Sequence, residues 1–245
     1  MSCHHIMIDL ETEGTRAGCV IRQIGAASFN PFTGEVDRTF EMNLDVEEQR
    51  SRFGLVSDPK TLVWLQALPA NIQEAMTRDP KPVGEVIMAL IRAFDWSHPD
   101  MRLWCHGATF DEPILRELII RFGIEVGLKD LVPWGYLKAR CTRDRLELAG
   151  VKVERDAAKS HTGLEDCIKQ IKALSEATRI IEGWKKAKAE MDVVIADCTE
   201  EERFPGELPV ETLGPFKTPT FGPSWAPAVS MPTEPLTVLD EKAIR

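Results

Sequence analysis

The chain has 245 residues, enough for one substantial domain with an appendage or for two small domains. Its composition, 43% hydrophobic and 28% charged, is typical of a soluble globular protein. It contains no run of about 18 apolar residues, the length that a membrane span needs. The first residues form neither a charged leader nor an apolar signal core, so we expect a cytoplasmic protein that does not contact the membrane.

The formal net charge of −9 argues against a protein that binds a long stretch of nucleic acid through basic groups. Carboxylates that hold divalent cations would nevertheless give an acidic chain a local positive field. The charge is therefore compatible with an enzyme that acts on a few terminal nucleotides. The six cysteines form no Cys-x-x-Cys pair, so we expect reduced thiols and no structural zinc site.

The predicted elements begin with strands and continue with a mixture of strands and helices. Strands are predicted over residues 5–10, 21–30 and 39–44, with short connections that favour an antiparallel meander. Helices are predicted over residues 58–68, 71–77, 82–94, 111–122 and 163–196, and further strands over 101–105 and 131–134. This order predicts an α/β domain, a sheet flanked by helices.

The last part of the chain differs in composition. Eight of the 16 prolines fall between Pro205 and Pro235, a density that excludes a helix or a central strand. We therefore expect a domain over residues 1–200 and an extended or disordered Pro-rich tail over 201–245. The tail is either a flexible appendage or a strap that docks through Phe216, Phe221 and Trp225 into an aromatic-lined groove.

Two acidic residues lie near the end of the first predicted strand. Asp9 and Glu11 are two residues apart, so their side chains lie on one face of the strand and reach the same point. Like charges at such a short distance are unfavourable unless a cation lies between them. A solvated strand end is the alternative interpretation of this pair.

A third acid follows the predicted strand over residues 101–105. Asp111 stands where the next helix begins, after a turn that contains Gly107. An aspartate at this position is either a helix N-cap or a metal ligand, and the segment alone does not decide between them.

A histidine and a fourth acid surround the start of the long C-terminal helix. Thr162 and Glu165 have the spacing of a capping box, which predicts that the helix begins at Gly163. His161 then precedes the cap and Asp166 is the fourth helical residue, two positions that commonly contact each other. The alternative is an exposed loop histidine near a surface acid.

Taken together, these motifs resemble the DEDDh branch of the 3′–5′ exonucleases, which includes polymerase proofreading domains and ribonuclease T. Within that branch the chain is most similar to phage exonuclease A-like proteins and related bacterial exoribonucleases. The motifs are Asp9–Thr12, residues 106–115 around Asp111, and residues 161–166. Residues 58–66 and 140–144 also resemble the phage-like branch, and the similarity covers residues 5 to about 180.

The resemblance implies a ribonuclease-H-like fold with a mixed five-stranded sheet and a 3′–5′ exonuclease activity on single-stranded DNA or RNA. It also implies that two Mg²⁺ or Mn²⁺ ions are held by four carboxylates and that His161 is the general base. The implied metal ligands are Asp9, Glu11, Asp111 and Asp166. The products would be 5′-mononucleotides, while the preferred sugar and the oligomeric state, a homodimer being one possibility, stay open.

Other residues of the same chemical types are interpreted as structural. His4, His5 and His106 are not expected to bind metal, and Trp64 is expected to pack in the core rather than stack on a base. Two alternatives to the exonuclease remain. One is a catalytically inactive ribonuclease-H-like module that binds nucleic acid or acts as a scaffold, and the other is a metal-dependent phosphoesterase with a different carboxylate cluster.

Overall fold

The computed structural model describes residues 3–153 and 162–201, with side chains described up to Val193. Five strands form one sheet in the order β3-β2-β1-β4-β5. Strand β1 is antiparallel to β2 and parallel to β4, so the sheet is mixed, as the sequence predicted. The strands are β1 (His5–Thr12), β2 (Ile21–Phe29), β3 (Val36–Asn43), β4 (Arg102–Cys105) and β5 (Ala139–Cys141).

The helices agree with the predicted ones and include two that the sequence pattern did not indicate. They are α1 (Val46–Ser51), α2 (Pro59–Gln66), α3 (Ala70–Ala75), α4 (Val83–Ala93), α5 (Asp111–Glu125), α6 (Thr142–Ala149) and α7 (Gly163–Glu201). The two unpredicted helices, α1 and α6, are short and polar, so they lack a strong apolar period. Asp45 caps α1 by accepting from the amide of Glu48, and α6 ends at Gly150 with a φ of 68°.

The predicted strand over residues 131–134 is wrong. No strand forms there, and the fifth strand is β5, directly after a 3-10 turn over Tyr136–Lys138. Pro133 has no amide hydrogen to donate to a neighbouring strand. The apolar character of this segment instead reflects core packing, because Trp134 is buried against the ring of Trp96.

The alternation of side chains along β1 supplies both faces of the sheet. Ile6, Ile8 and Leu10 belong to the larger core, which helices α4 and α5 cover. Met7 belongs to a second core on the opposite face, where α7 packs through residues such as Ile171. Asp9 and Glu11 alternate in phase with Met7, so they project on the side of α7.

The described residues up to Asp197 belong to one compact unit, and a second unit begins at Cys198. The Pro-rich tail, its boundary and its docking residues Phe216, Phe221 and Trp225 lie outside the described residues and stay predictions. Among the residues described, no helix is long and apolar enough to cross a membrane. Five of the cysteines have described side chains, and all five are free.

Candidate active site

The carboxylates at the end of β1 meet one from α7. Asp9, Glu11 and Asp166 each offer an oxygen, and these three oxygens lie within 4.8 Å of one another. Asp9 and Asp166 are partly exposed and Glu11 is buried. The sequence predicted this convergence, although the two motifs are more than 150 residues apart.

A pair of glycines lets α7 begin at this place. Gly25 of β2 lies opposite Asp9 in the sheet register, and the first residue of α7, Gly163, packs on it. A Cβ atom on Gly25 would lie 2.0 Å from the carbonyl carbon of Gly163, and one on Gly163 would lie 2.6 Å from the amide nitrogen of Gly25. Only glycine at both positions permits this backbone contact, which carries Asp166 towards β1. Sequence reasoning did not identify this requirement.

The amide groups of the first turn of α7 are satisfied by polar side chains. The amide of Gly163 donates to Oε1 of Gln23 at 2.8 Å, and that of Leu164 to Oε1 of Glu41 at 3.1 Å. The amide of Glu165 donates to Oγ1 of Thr162 at 3.4 Å, which is one half of the predicted capping box. His161 lies outside the described residues, so its predicted contact with Asp166 stays a prediction.

Asp111 joins the same region from β4 and the turn after it. The residue at the N-cap position is Phe110, so the interpretation of Asp111 as the cap is wrong. Its Oδ1 instead accepts a hydrogen bond of 3.2 Å from the backbone amide of Leu10, between the two acids of β1. Its side chain is buried and its charge acts on Asp9, but its oxygens are not among those that lie within 4.8 Å of one another.

Burial and mutual repulsion disfavour the charged forms of the carboxylates in the cluster. Burial raises the pKa of Asp9, and the neighbouring Asp111 and Glu11 raise it further. Burial, followed by repulsion from Asp166 and Asp111, raises the pKa of Glu11 to about 8. Burial also raises the pKa of Asp111 to about 7, against the opposing effects of the Leu10 amide and of Arg143. A cation in the cluster would remove the reason for these shifts.

Gln170 contacts the cluster from one turn beyond Asp166. Its Nε2 donates to Oδ1 of Asp9 at 2.7 Å, and its side chain is buried. The Oε1 atom of Gln170 is buried and accepts no hydrogen bond from the residues that the structure describes. The sequence did not single out this residue; its only signal is the helical spacing of four from Asp166.

The cluster fits a hard divalent cation. All its donors are carboxylate oxygens, the ligands that Mg²⁺ and Mn²⁺ prefer. Oxygens on opposite sides of a Mg²⁺ ion are roughly 4.2 Å apart, because each lies about 2.1 Å from the ion. The carboxylate oxygens of Asp9, Glu11 and Asp166 lie within 4.8 Å of one another, so a small side-chain rotation would bring them to this spacing.

A cavity of about 530 Å³ opens beside Glu11. Its lining includes Leu10, Thr12 and Phe110 and, from α2, Trp64. The expectation that Trp64 packs in the core is wrong, because its side chain is 50% exposed. The buried apolar residue of α2 is Leu65. The helix therefore packs on the domain through Leu65 and not through the neighbouring Trp64.

The three histidines that the sequence analysis interpreted as structural, His4, His5 and His106, each contact another side chain. The ring of His4 stacks on that of His98, with centroids 3.2 Å apart. Nδ1 of His5 accepts from Nε1 of Trp104 at 2.8 Å, and Nδ1 of His106 lies 2.9 Å from Oγ1 of Thr142.

Comparison with known families places this geometry in context. Residues 4–178 match the family described as the Rv2179c-like 3′–5′ exoribonuclease domain, and the match covers well over half of the chain. The chain belongs to this family. Residues 4–178 of this Rv2179c-like chain are thus a domain of the 3′–5′ exonuclease class, as the motifs predicted. A search of curated proteins gave no match.

Solved structures support the fold. The exonuclease I of Methylocaldum szegediense is 13% identical, with a TM-score of 0.52 over 74% of this chain and 41% of that one. The Escherichia coli exonuclease I in complex with a dA16 oligonucleotide is also 13% identical, with a TM-score of 0.50 over 71% and 41%. The ribonuclease-H-like fold is therefore confirmed. The chain spans about two fifths of the length of these enzymes.

Proposed function

We propose that the protein is a 3′–5′ exonuclease that releases 5′-mononucleotides from the 3′ end of single-stranded nucleic acid. The observation that carries the proposal is the convergence of the Asp9, Glu11 and Asp166 oxygens within 4.8 Å, beside a buried Asp111. The family description favours RNA as the substrate. The oligonucleotide bound to the Escherichia coli exonuclease I supports a single-stranded form.

The proposed metal ligands are the four carboxylates, and the proposed cofactor is a pair of Mg²⁺ or Mn²⁺ ions. When bound, such ions stabilise the charge on the attacking and leaving oxygens of a phosphoryl transfer. Glu11 and Asp111 are buried, so little solvent would screen the attraction between their carboxylates and the bound ions. Gln170 keeps one oxygen of Asp9 in place and leaves the other free to bind.

In the proposed reaction a water molecule attacks the phosphorus of the last phosphodiester. The bond from phosphorus to the 3′ oxygen of the preceding nucleotide breaks, and the last nucleotide leaves with a 5′-phosphate. His161 accepts the proton of the water, a role that suits a side chain with a pKa near neutrality.

The terminal nucleoside would occupy the cavity of about 530 Å³ beside Glu11. The exposed ring of Trp64 and the side chain of Phe110 offer flat apolar surfaces on which a base stacks without regard to sequence. Only the terminal nucleoside has no further phosphate on its 3′ side, which suits a lining whose charged residues are two acids, Glu11 and Asp58, and one cation, Lys60.

The test is a time course on single-stranded DNA and RNA labelled at either end, with Mg²⁺, Mn²⁺ or EDTA. We expect metal-dependent release of mononucleotides from the 3′ end, abolished by Asp166→Ala and by His161→Ala. Absence of cleavage for every substrate and metal would favour the inactive binding module. Full activity of His161→Ala would favour a different phosphoesterase mechanism.

A further inference from the structure

A second large cavity is lined by the start of the turn at residues 106–110, and the end of that turn lines the cavity of about 530 Å³ beside Trp64, called here the Trp64 cavity. Its volume is about 1000 Å³, and it extends along α6 and the residues that follow that helix. His106 lines this cavity, Phe110 lines the Trp64 cavity, and Asp111 follows directly. The two cavities are therefore lined by opposite ends of the turn that leads to Asp111.

Two cations line this second cavity. Arg143 is exposed on the first turn of α6, and Lys152 is exposed shortly after α6 ends. Within residues 3–153 and 162–193, neither side chain has an ion pair or a hydrogen bond. The remaining lining residues that the structure describes are apolar or neutral, apart from one acid, Glu147.

Arg143 lies beside the turn that leads to Asp111. Its guanidinium carbon lies 3.4 Å from the place where a Cβ atom on Gly107 would be, and Gly107 has a φ of 121°. Its charge also acts on the Asp111 carboxyl, whose pKa it lowers. Because Gly107 has no side chain, the guanidinium of Arg143 can lie against the turn that leads to Asp111.

The charges that line the two cavities match the two sides of the scissile phosphate, which differ in the number of phosphates that they carry. The nucleoside on the 3′ side of the bond is the last one and has no further phosphate. The chain on the 5′ side continues with a phosphate at every nucleotide, and phosphates bind Arg and Lys. The cationic cavity therefore matches the 5′ side, and its volume is that of a site for a small ligand.

We propose that Arg143 and Lys152 form a subsite for the phosphate that lies one nucleotide upstream of the scissile bond. The proposal rests on the exonuclease function proposed above and assigns the polarity of the bound strand. Arg143 holds the upstream phosphate next to the cluster, and Lys152 contributes a second charge further along the cavity. The subsite binds a backbone group and is therefore independent of the base sequence.

The experiment compares two short substrates that differ by one upstream phosphate. A dinucleoside monophosphate has only the scissile phosphate, while a trinucleoside diphosphate has one more on the 5′ side. We expect the wild-type protein to cleave the trinucleotide with a kcat/KM about tenfold higher or more, the effect of one charged hydrogen-bonded contact. In Arg143→Met the ratio of the two kcat/KM values should fall to about two, mainly through the KM of the trinucleotide.

Arg140→Met is the matched control, because it removes the same charge from a residue outside the cavity. The Arg140 guanidinium donates to the carbonyl oxygens of Leu137 and Ala139. We expect it to keep the full trinucleotide advantage, and Lys152→Met to lose part of it. On a longer single strand, Arg143→Met should also make the salt dependence of log KM shallower by about 0.7 per lost phosphate contact.

The outcomes separate the two proposals. Cleavage of neither substrate by the wild-type protein contradicts the exonuclease function itself. Equal cleavage of both substrates, or an advantage that survives Arg143→Met, overturns the subsite alone. An equal loss on both substrates also overturns it, because Arg143 would then act at the reacting phosphate.

Discussion

Asp111 accepts a hydrogen bond from the backbone amide of Leu10, so the first residue of α5 is attached to β1 between the two acids of that strand. The bond fixes the distance between two segments that are 101 residues apart in the chain. It also explains why a buried carboxylate stays in place while burial raises its pKa to about 7.

The substitution Asp111→Asn removes the negative charge of the side chain and keeps its shape. Asparagine keeps an oxygen that accepts from the Leu10 amide but has no charge, so we expect the fold to persist and activity to fall about 1000-fold or more. Because the folded-state pKa of Asp111 lies above its unfolded value of 3.8, the stability of the protein falls as the pH rises from about 4 to about 7 and stays low above that. In EDTA at pH 8, Asp111→Asn should therefore be more stable than the wild type by roughly 1–3 kcal/mol.

Thermal unfolding with EDTA and with Mg²⁺ checks this prediction. The wild type should gain stability from Mg²⁺, and Asp111→Asn should gain much less. A variant that is less stable than the wild type in EDTA would contradict the repulsion described for the cluster.

The Gly25–Gly163 contact predicts a large effect from a small side chain. In Gly25→Ala the new methyl group would lie 2.0 Å from the backbone of Gly163, so the start of α7 must move away from β2. We expect destabilisation of about 2–4 kcal/mol, as for other overpacked sites, and loss of activity because Asp166 moves with the helix. Gly183→Ala is the control, since a Cβ atom there would meet no atom within 4 Å among the described residues outside its own helix turn. Urea unfolding and the exonuclease assay measure both effects, and equal stability of the two variants would contradict the argument.

The sequence was sufficient to predict most of what is local in this site. Asp9 and Glu11 follow from strand alternation, and the position of Asp166 follows from the cap at Thr162. What the sequence did not indicate depends on contacts between distant segments. Gln170 and Gly25 are ordinary residues of a helix and a strand until α7 packs on β2, and the exposure of Trp64 depends on which face of α2 meets the protein.

Gln170 is expected to act as a positioning residue. Replacing a residue that orients a metal ligand typically weakens metal binding by about 10- to 100-fold. We expect Gln170→Leu to lower Mn²⁺ affinity by that factor, because Asp9 loses the 2.7 Å hydrogen bond that orients it. Mn²⁺ binding followed by electron paramagnetic resonance tests this without substrate. Thr178→Val, at a buried polar position two turns further along α7, is the control, and equal affinities of the two variants would argue against the role.

Trp64 is expected to bind substrate with little effect on stability. Base stacking on an aromatic side chain contributes about 1–3 kcal/mol, so Trp64→Ala should raise KM by about tenfold or more. Its half-exposed side chain predicts a small change in the free energy of unfolding. Trp184→Ala is a matched control, because Trp184 is equally exposed at 51% and lies on α7 outside the cavity. Steady-state kinetics on one oligonucleotide distinguishes the two, and an unchanged KM in Trp64→Ala would exclude stacking.

His5 is expected to make the fold sensitive to acid. Burial, followed by the charges of Arg102 and Arg145, lowers the pKa of His5 to about 4. The neutral ring accepts the hydrogen bond of Trp104, and a protonated ring cannot accept it at Nδ1. Because the unfolded-state pKa is about 6.5, the stabilisation is complete above that value and is lost as the pH falls from about 6.5 towards 4.

The expected loss from this histidine between pH 7 and pH 5 is about 1–2 kcal/mol. His5→Gln still offers an acceptor but does not titrate, so its stability should fall by less over the same interval. Urea unfolding of both proteins at the two pH values, with Mg²⁺ present throughout, isolates the contribution of His5 from that of the carboxylate cluster. Parallel losses in the two proteins would show that His5 is not the group that titrates.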